Sequence, residues 1–175
     1  NGTVIGKSNV GGIAGINRAS GTVSGCAAGG EIIGEERVGG IVGTNNGLIS
    51  SSVNQAKVNT IAISPSISLS EINLSLSFDI TKLPSLSSTA MTDVGGIAGY
   101  SSGIILGSVN SGSVGYPHMG YNIGGIAGRS CGHLNGNINQ AKIYGRKDVG
   151  GIVGQAEPHI SYDLVKTMLP DAFTI

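Results

Sequence analysis

The chain of 175 residues contains 31 glycines, is 39% hydrophobic but only 4% aromatic, and carries ten basic and ten acidic residues. Because disordered chains combine low hydrophobicity with high net charge, this composition predicts a folded chain of one domain. Balanced charge excludes the basic field that binds nucleic acid, and no apolar run approaches the roughly 20 residues of a membrane-spanning helix. We therefore expect no nucleic acid partner and no membrane insertion.

One glycine-rich motif, [VI]-G-G-I-[AV]-G, occurs five times. Its copies begin at Val10, Val38, Val94, Ile123 and Val149, so consecutive copies lie 28, 56, 29 and 26 residues apart. The rest of each unit consists of short runs of β-branched residues between Gly, Asn and Ser, which is typical of strands and turns. One unit is too small to bury its own apolar side. The repeat therefore predicts an all-β fold, a parallel β-solenoid of five to six coils of roughly 28 residues.

Equivalent residues of stacked coils lie about 4.8 Å apart and form ladders along the solenoid axis. The predicted apolar ladder takes one isoleucine from each copy: Ile13, Ile41, Ile97, Ile126 and Ile152. A second predicted ladder, in which side-chain amides bond to each other along the axis, consists of Asn54, Asn110 and Asn139. The Gly-Gly pair before each isoleucine indicates a corner that needs either a positive φ or a close approach of two backbones.

Residues 61–92 interrupt the repeat. This segment is rich in serine, contains no glycine, and places an apolar residue at every second position from Ile72 to Ile80. Such alternation predicts a half-buried strand. Because 56 is twice 28, the segment is interpreted either as a degenerate coil or as an insertion. An insertion would pack against the side of the solenoid or project from it to contact a partner.

The repeat stops after Gly154, and residues 156–175 are predicted to form a C-terminal cap or a linker. Within them, Ser161 to Leu169 has the apolar spacing of a short amphipathic helix. Solenoids need their open ends covered to avoid end-to-end association, which is the role expected of a cap. The whole chain, residues 1–175, is thus predicted to be a single solenoid domain.

The motif and the two patterns that follow it, N/S-x-G-x-[VI] and S-x-N-x-[GA]-x-[VI], resemble the GLUG-motif repeats. These repeats are found in bacterial surface proteins, in large adhesins and beside IgA-protease-like metallopeptidase domains. The resemblance covers residues 1 to about 60 and 93 to about 155. It implies a secreted or cell-surface setting and no single activity.

Two functions fit this setting. The first is a non-catalytic structural or adhesive repeat module, which acts as a rigid stalk or presents a binding surface. The alternative is an accessory substrate-positioning domain of a secreted IgA-protease-like metallopeptidase whose active site lies outside these residues. Since the chain begins with Asn1-Gly-Thr, which is neither a translation start nor a signal peptide, we expect in either case the remainder of a longer parent polypeptide.

Two matches to the nucleophile-elbow motif G-x-S-x-G are centred on Ser101 and Ser130. The equivalent residue in another copy is Asn45, which indicates that serine and asparagine are interchangeable turn residues here. An elbow also needs a strand that leads into a helix, and no helix is predicted at either place. The histidines have no metal-ligand spacing: His118, His133 and His159. We therefore expect no enzymatic activity, no cofactor and no metal site.

Several tyrosines fall outside the apolar ladders, in predicted turns. Tyrosine on a rigid scaffold is suited to contact sugars and proteins, because its ring is apolar and its hydroxyl is polar. The candidate contact surface consists of Tyr116, His118, Tyr121, Tyr100 and Tyr144. His118 stands near Tyr116 and Tyr121 in the longest loop between copies, which makes this loop the preferred patch. The expected partner is a host protein or a glycan.

Overall fold

A computed structural model describes residues 2–62 and 91–158, and these residues form five turns of a parallel β-solenoid. The predicted all-β solenoid is confirmed. The described residues form 21 strands in five parallel sheets, and each sheet contains equivalent strands of successive turns. The alternating strand predicted from Ile72 to Ile80 and the predicted helix from Ser161 to Leu169 lie outside the described residues.

Each turn passes through the sheets in the order A to E. Sheet A contains β1 (Gly2–Ile5), β6 (Gly30–Ile33) and β11 (Lys57–Val58), and single bridges from Val58 to Val114 and from Val114 to Ile143 continue it. Sheet B contains β2 (Ser8–Gly11), β7 (Glu36–Gly39), β12 (Thr92–Gly95), β16 (Tyr121–Gly124) and β20 (Lys147–Gly150). Sheet C contains β3 (Ala14–Asn17), β8 (Val42–Asn45), β13 (Ala98–Ser101), β17 (Ala127–Ser130) and β21 (Val153–Ala156).

The two remaining sheets complete four of the turns. Sheet D contains β4 (Thr22–Ser24), β9 (Leu48–Ser50), β14 (Ile104–Leu106) and β18 (His133–Asn135). Sheet E contains β5 (Ala27–Ala28), β10 (Val53–Asn54), β15 (Val109–Asn110) and β19 (Ile138–Asn139). Turns 1 to 3 thus hold β1–β5, β6–β10 and β11–β15; turn 4 holds Val114 and β16–β19, and turn 5 holds Ile143, β20 and β21.

Turn 2 pairs directly with turn 3, although their motifs lie 56 residues apart. Val38 pairs with Val94 in sheet B, and Asn54 pairs with Asn110 in sheet E. No further turn therefore lies between turns 2 and 3. This pairing favours an insertion over a degenerate coil as the interpretation of residues 61–92. Its edges differ slightly from those predicted, because Thr92 already belongs to β12. Ala156, predicted to start the cap, is the last residue of β21.

The apolar ladder lies inside the solenoid only in the middle turns. Ile41, Ile97 and Ile126 are completely buried. Ile13 and Ile152, expected in the same core, are 45% and 41% exposed. The expected burial does not hold for these two members, because among the described residues each has a neighbouring turn on one side only.

The motif glycines permit close backbone approach rather than a positive φ. A Cβ on Gly96 would collide with the carbonyl oxygen of Gly125 and with the side chain of Asn110, and a Cβ on Gly99 would collide with the backbone of Arg37. None of the motif glycines has a positive φ. The left-handed conformation falls instead on the residue before each motif: Asn9, Arg37, Asp93, Asn122 and Asp148, with φ between 53° and 56°. Asn and Asp tolerate this conformation better than other residues with a side chain.

The amide ladder runs through the interior between sheet E and the motif glycines. Asn54 Nδ2 donates to Asn110 Oδ1 at 2.8 Å, and Asn110 Nδ2 donates to Asn139 Oδ1 at 2.9 Å. Asn54 and Asn110 are completely buried. Each amide oxygen also accepts a backbone N–H two residues later, from Ala56, Gly112 and Ala141. The ladder thereby supplies partners for polar groups that would otherwise be buried without one.

Candidate contact surface

One corner of the solenoid varies from turn to turn. We call it the A–B corner. It comprises the residues that follow the last column of sheet A paired through all five turns (Val4, Ile32, Val58, Val114 and Ile143) and precede sheet B, which are 5–7, 33–35, 59–91, 115–120 and 144–146 in turns 1 to 5. The corner is three residues long in turns 1, 2 and 5, but six in turn 4 and 33 in turn 3. The insertion therefore leaves and rejoins the solenoid at one place, and the longest loop between copies follows it in the next turn.

The base of the insertion is held by buried contacts. Asn59 is completely buried, and its side-chain amide accepts from Gly34 N at 2.9 Å and donates to Gly34 O at 2.8 Å. These two bonds continue the hydrogen bonding of sheet A where the backbone departs. On the returning side, Met91 is buried in the apolar core, and Thr92 N donates to Glu35 O at 2.9 Å. The position at which the insertion is attached is thus defined on both sides.

The loop of turn 4, residues 115–120, carries two of the predicted contact residues. Tyr116 is 36% exposed, and His118 is exposed with a φ of 61°. Met119 N donates to Tyr116 O at 3.2 Å, and the Met119 side chain packs partly buried against the core. The loop is therefore anchored by Met119 while Tyr116 and His118 point outwards to solvent.

Two further predicted contact residues lie at the same corner. Tyr144 is 38% exposed in turn 5, where its N–H donates to Val114 O at 2.9 Å, directly beside the loop of turn 4. Tyr121 is half-buried at the start of β16 and pairs with Thr92, the first residue after the insertion. The structure thus brings Tyr116, His118, Tyr121 and Tyr144 together next to the attachment point of the insertion.

Tyr100 stands apart from the other four, in β13 of sheet C. The guanidinium carbon of Arg129 lies 4.8 Å from the centre of its ring, and its hydroxyl is 3.2 Å from Cys131 Sγ. Arg129 in turn contacts Asp93 at 3.0 Å and Glu157 at 3.5 Å. These contacts tie sheet C to sheet B across successive turns. Tyr100 is therefore part of a half-buried cluster on sheet C rather than of the corner.

Charge in this cluster is stabilised by pairing. Asp93 is almost completely buried, and Asn122 Nδ2 also donates to its Oδ1 at 2.8 Å. Burial disfavours the charge of Arg129, but the carboxylates of Asp93 and Glu157 outweigh burial and raise the pKa of Arg129. The hydrogen bond with Cys131, followed by burial, raises the pKa of the Tyr100 hydroxyl. The sequence analysis missed the Asp93–Arg129 pair, because the two residues belong to different columns of the repeat.

The two serines of the G-x-S-x-G matches are buried in a polar ladder of sheet C. Asn45 Nδ2 donates to Ser101 Oγ at 3.1 Å, and Ser130 Oγ donates to Ser101 O at 3.1 Å. Asn17 Nδ2 donates to Asn45 Oδ1 at 2.8 Å and extends the ladder into turn 1. Asn45, Ser101 and Ser130 thus occupy one column, as their alignment in the sequence indicates.

A shallow groove of about 410 Å³ lies between sheets C and D in turns 1 to 3. Its floor contains Gly21, Gly47 and Gly103, and its rim includes Asn46 and Ser102, which hydrogen-bond to each other. A Cβ on Gly47 or Gly103 would collide with the carbonyl oxygen of the matching glycine in the preceding turn. Turn-to-turn stacking therefore accounts for the shape of this groove.

Within residues 2–62 and 91–158, no group of three or more His, Cys, Asp or Glu side chains is arranged to hold a metal ion. The same residues contain no helix that is long and apolar enough to cross a membrane.

Comparison with family models, with curated proteins and with solved structures found no match to this chain.

Proposed function

We propose that the protein is a non-catalytic structural or adhesive repeat module of a secreted or cell-surface bacterial protein, and that it presents the A–B corner to a host protein or a glycan. The observation that carries this proposal is the concentration of irregularity at one corner. In three successive turns this corner holds the insertion, the loop 115–120 and Tyr144. Stacking requirements are the same in every turn, so they do not explain a corner that varies in length from three to 33 residues.

The chemistry of the corner suits contact rather than turnover. Tyr116 and Tyr144 offer apolar rings with a polar hydroxyl, and His118 adds a ring that can form hydrogen bonds. The turns on which they stand are held by continuous parallel sheets, and loops on a rigid scaffold are common binding elements. Ser101 and Ser130, the candidate nucleophiles, are buried in a ladder of hydrogen bonds. The resemblance to GLUG-motif repeats supports the secreted or cell-surface setting.

The test measures binding of the 175-residue chain to a mammalian glycan array and to a panel of purified extracellular-matrix proteins. Tyr116→Ala and Tyr144→Ala, singly and together, should weaken any binding that is found, and His118→Ala should weaken it less. His133→Ala is the matched control for His118→Ala, because His133 is also exposed but lies on sheet D. Binding that survives the double variant unchanged would show that the contact surface lies elsewhere.

A further inference from the structure

The A–B corner and the residues beside it carry opposite charge in turns 2 and 5. Three charged residues occupy equivalent positions in the two turns: Glu31, Glu35 and Glu36 in turn 2, and Lys142, Arg146 and Lys147 in turn 5. Sheet B pairs the column of Glu36 with that of Lys147, and sheet A pairs the column of Ile32 with that of Ile143. The residues one position before these four are therefore equivalent as well. The same backbone thus presents acidic side chains in one turn and basic side chains in another.

The carboxylates of turn 2 have cations at neighbouring positions. Lys7 Nζ of turn 1 lies 3.9 Å from the carboxylate of Glu35, and Arg37 Nη2 lies 2.7 Å from the carboxylate of Glu36. The third acidic residue pairs with Lys57 of turn 3 in sheet A. Residues of this chain therefore balance the acidic charge of turn 2.

The cations of turn 5 have no acidic counterparts in the adjacent turn. The equivalent residues of turn 4 are neutral: Ser113, Gly120 and Tyr121. Among residues 2–62 and 91–158, the one carboxylate within 4.0 Å of the three cations is that of Asp148, which lies 4.0 Å from Lys147 Nζ. All three cations are exposed in the described part of the chain, and charged side chains are rarely buried without a partner. This side of turn 5 therefore carries an excess of positive charge.

Aromatic rings lie among these cations. Tyr144 stands two residues before Arg146 in turn 5, and Tyr121 pairs with Lys147 in sheet B. Arg146 N donates at 3.1 Å to the last carbonyl oxygen of the loop 115–120, which carries a further tyrosine and a histidine. Anionic groups accept charge-assisted hydrogen bonds from lysine and arginine, and the apolar face of a sugar ring packs against tyrosine. The combination of cations and tyrosines therefore suits a sugar chain that bears negative charge.

We infer that the A–B corner of turns 4 and 5 binds a sulfated glycosaminoglycan, an inference that rests on the contact function proposed for this corner and specifies its partner. Lys142, Arg146 and Lys147 bind the sulfate groups, and Tyr116 and Tyr144 contact the sugar rings. The cations extend around the corner from sheet A to sheet B, so they match a chain with several anionic groups better than a glycan with one terminal acid. Because the whole chain has a net charge of +0, the attraction is confined to this corner.

Surface plasmon resonance of the 175-residue chain on immobilised heparin tests the inference. We expect binding that weakens as the ionic strength rises. The double variant Lys142→Gln with Arg146→Gln should weaken binding about tenfold, because each exposed charge pair contributes modestly. Lys7→Gln with Arg18→Gln is the matched control, because it also removes one exposed lysine and one exposed arginine, but from turn 1. The control should bind heparin as the wild type does, and both variants should keep the circular dichroism of the wild type.

Competition with chemically desulfated heparin and with double-stranded DNA separates recognition of a sulfated sugar chain from attraction to any polyanion. Both should compete about tenfold less effectively than heparin, because neither combines dense anionic charge with exposed sugar faces. Equal loss of binding in the two double variants, or equal competition by DNA, would overturn the inference. Binding to neutral glycans or matrix proteins without binding to heparin would overturn it and leave the contact function of the corner intact. Binding to none of these probes would overturn both.

Discussion

The middle and the end turns carry the same motif but bury it to different extents. Ile97 in turn 3 is completely buried, whereas Ile13 in turn 1, at the same place in its own turn, is 45% exposed. Sequence and local backbone are alike at the two positions, and the number of neighbouring turns differs. Because a solenoid repeat contacts only its neighbours, the interface between turns supplies most of its stability. The same substitution should therefore have different energetic effects in the middle and at the ends.

The largest difference is expected for a charge placed on the apolar ladder. Ile126→Asp puts a carboxylate without a partner into a completely buried position and should unfold the domain. Ile13→Asp leaves its carboxylate in contact with water and should cost about 1 kcal/mol or less. Circular dichroism and thermal unfolding of the two variants provide the comparison. If Ile126→Asp keeps the thermal transition of the wild type, the ladder does not stabilise the fold as described.

The amide ladder should show a smaller effect of the same kind. Asn110→Ala removes the acceptor of Asn54 Nδ2 and the donor to Asn139 Oδ1, and it should lower the free energy of unfolding by about 1–3 kcal/mol. Asn135→Ala, an exposed asparagine of turn 4, should change it by no more than about 0.5 kcal/mol. Urea unfolding measures both values. Equal losses in the two variants would contradict a specific role for the buried amides.

A stabilising substitution is expected at the corner between sheets D and E. Ser51 has a φ of 47°, whereas the equivalent residues in turns 1, 3 and 4 are Gly25, Gly107 and Gly136. A non-glycine residue in this conformation costs roughly 1–2 kcal/mol, partly offset by the lower entropy of its unfolded chain. Ser51→Gly should therefore raise the free energy of unfolding by up to about 1 kcal/mol.

The reverse change, Gly107→Ser, isolates this backbone effect. A Cβ on Gly107 would meet nothing within 4 Å, so the substitution adds no collision. Gly107→Ser should lower the midpoint of urea unfolding, and Ser51→Gly should raise it. A shift of both midpoints in the same direction would rule out the left-handed conformation as the cause.

The smallest effect is expected from the pH dependence of Tyr100. Its pKa in the folded state is raised above the ordinary value of about 10, so the folded state keeps this proton where the unfolded chain has lost it. The resulting stability is complete below about pH 10 and declines as the pH rises through the raised pKa. Tyr100→Phe lacks this titration and should show a shallower decline in melting temperature above about pH 10. Parallel curves would contradict the assignment.

The stacking was predictable because the repeat aligns column by column. The five motif copies identify which residues pair in sheet B, and the spacing of Asn54, Asn110 and Asn139 identifies the amide ladder. The Asp93–Arg129 pair was not predictable in this way, because it joins two columns on different sheets. The tyrosines were selected as turn residues outside the ladders, and that criterion does not distinguish Tyr100, which lies in a strand of sheet C, from residues of the A–B corner.

The sequence by itself determined the all-β class, the length of a turn and the parallel register, since identical units too small to fold alone have to bury their apolar residues against one another. Only the tertiary structure decided that the insertion departs at the A–B corner and that Ile13 and Ile152 are exposed. These features depend on which turn lies above or below a residue, and no single repeat unit contains that information.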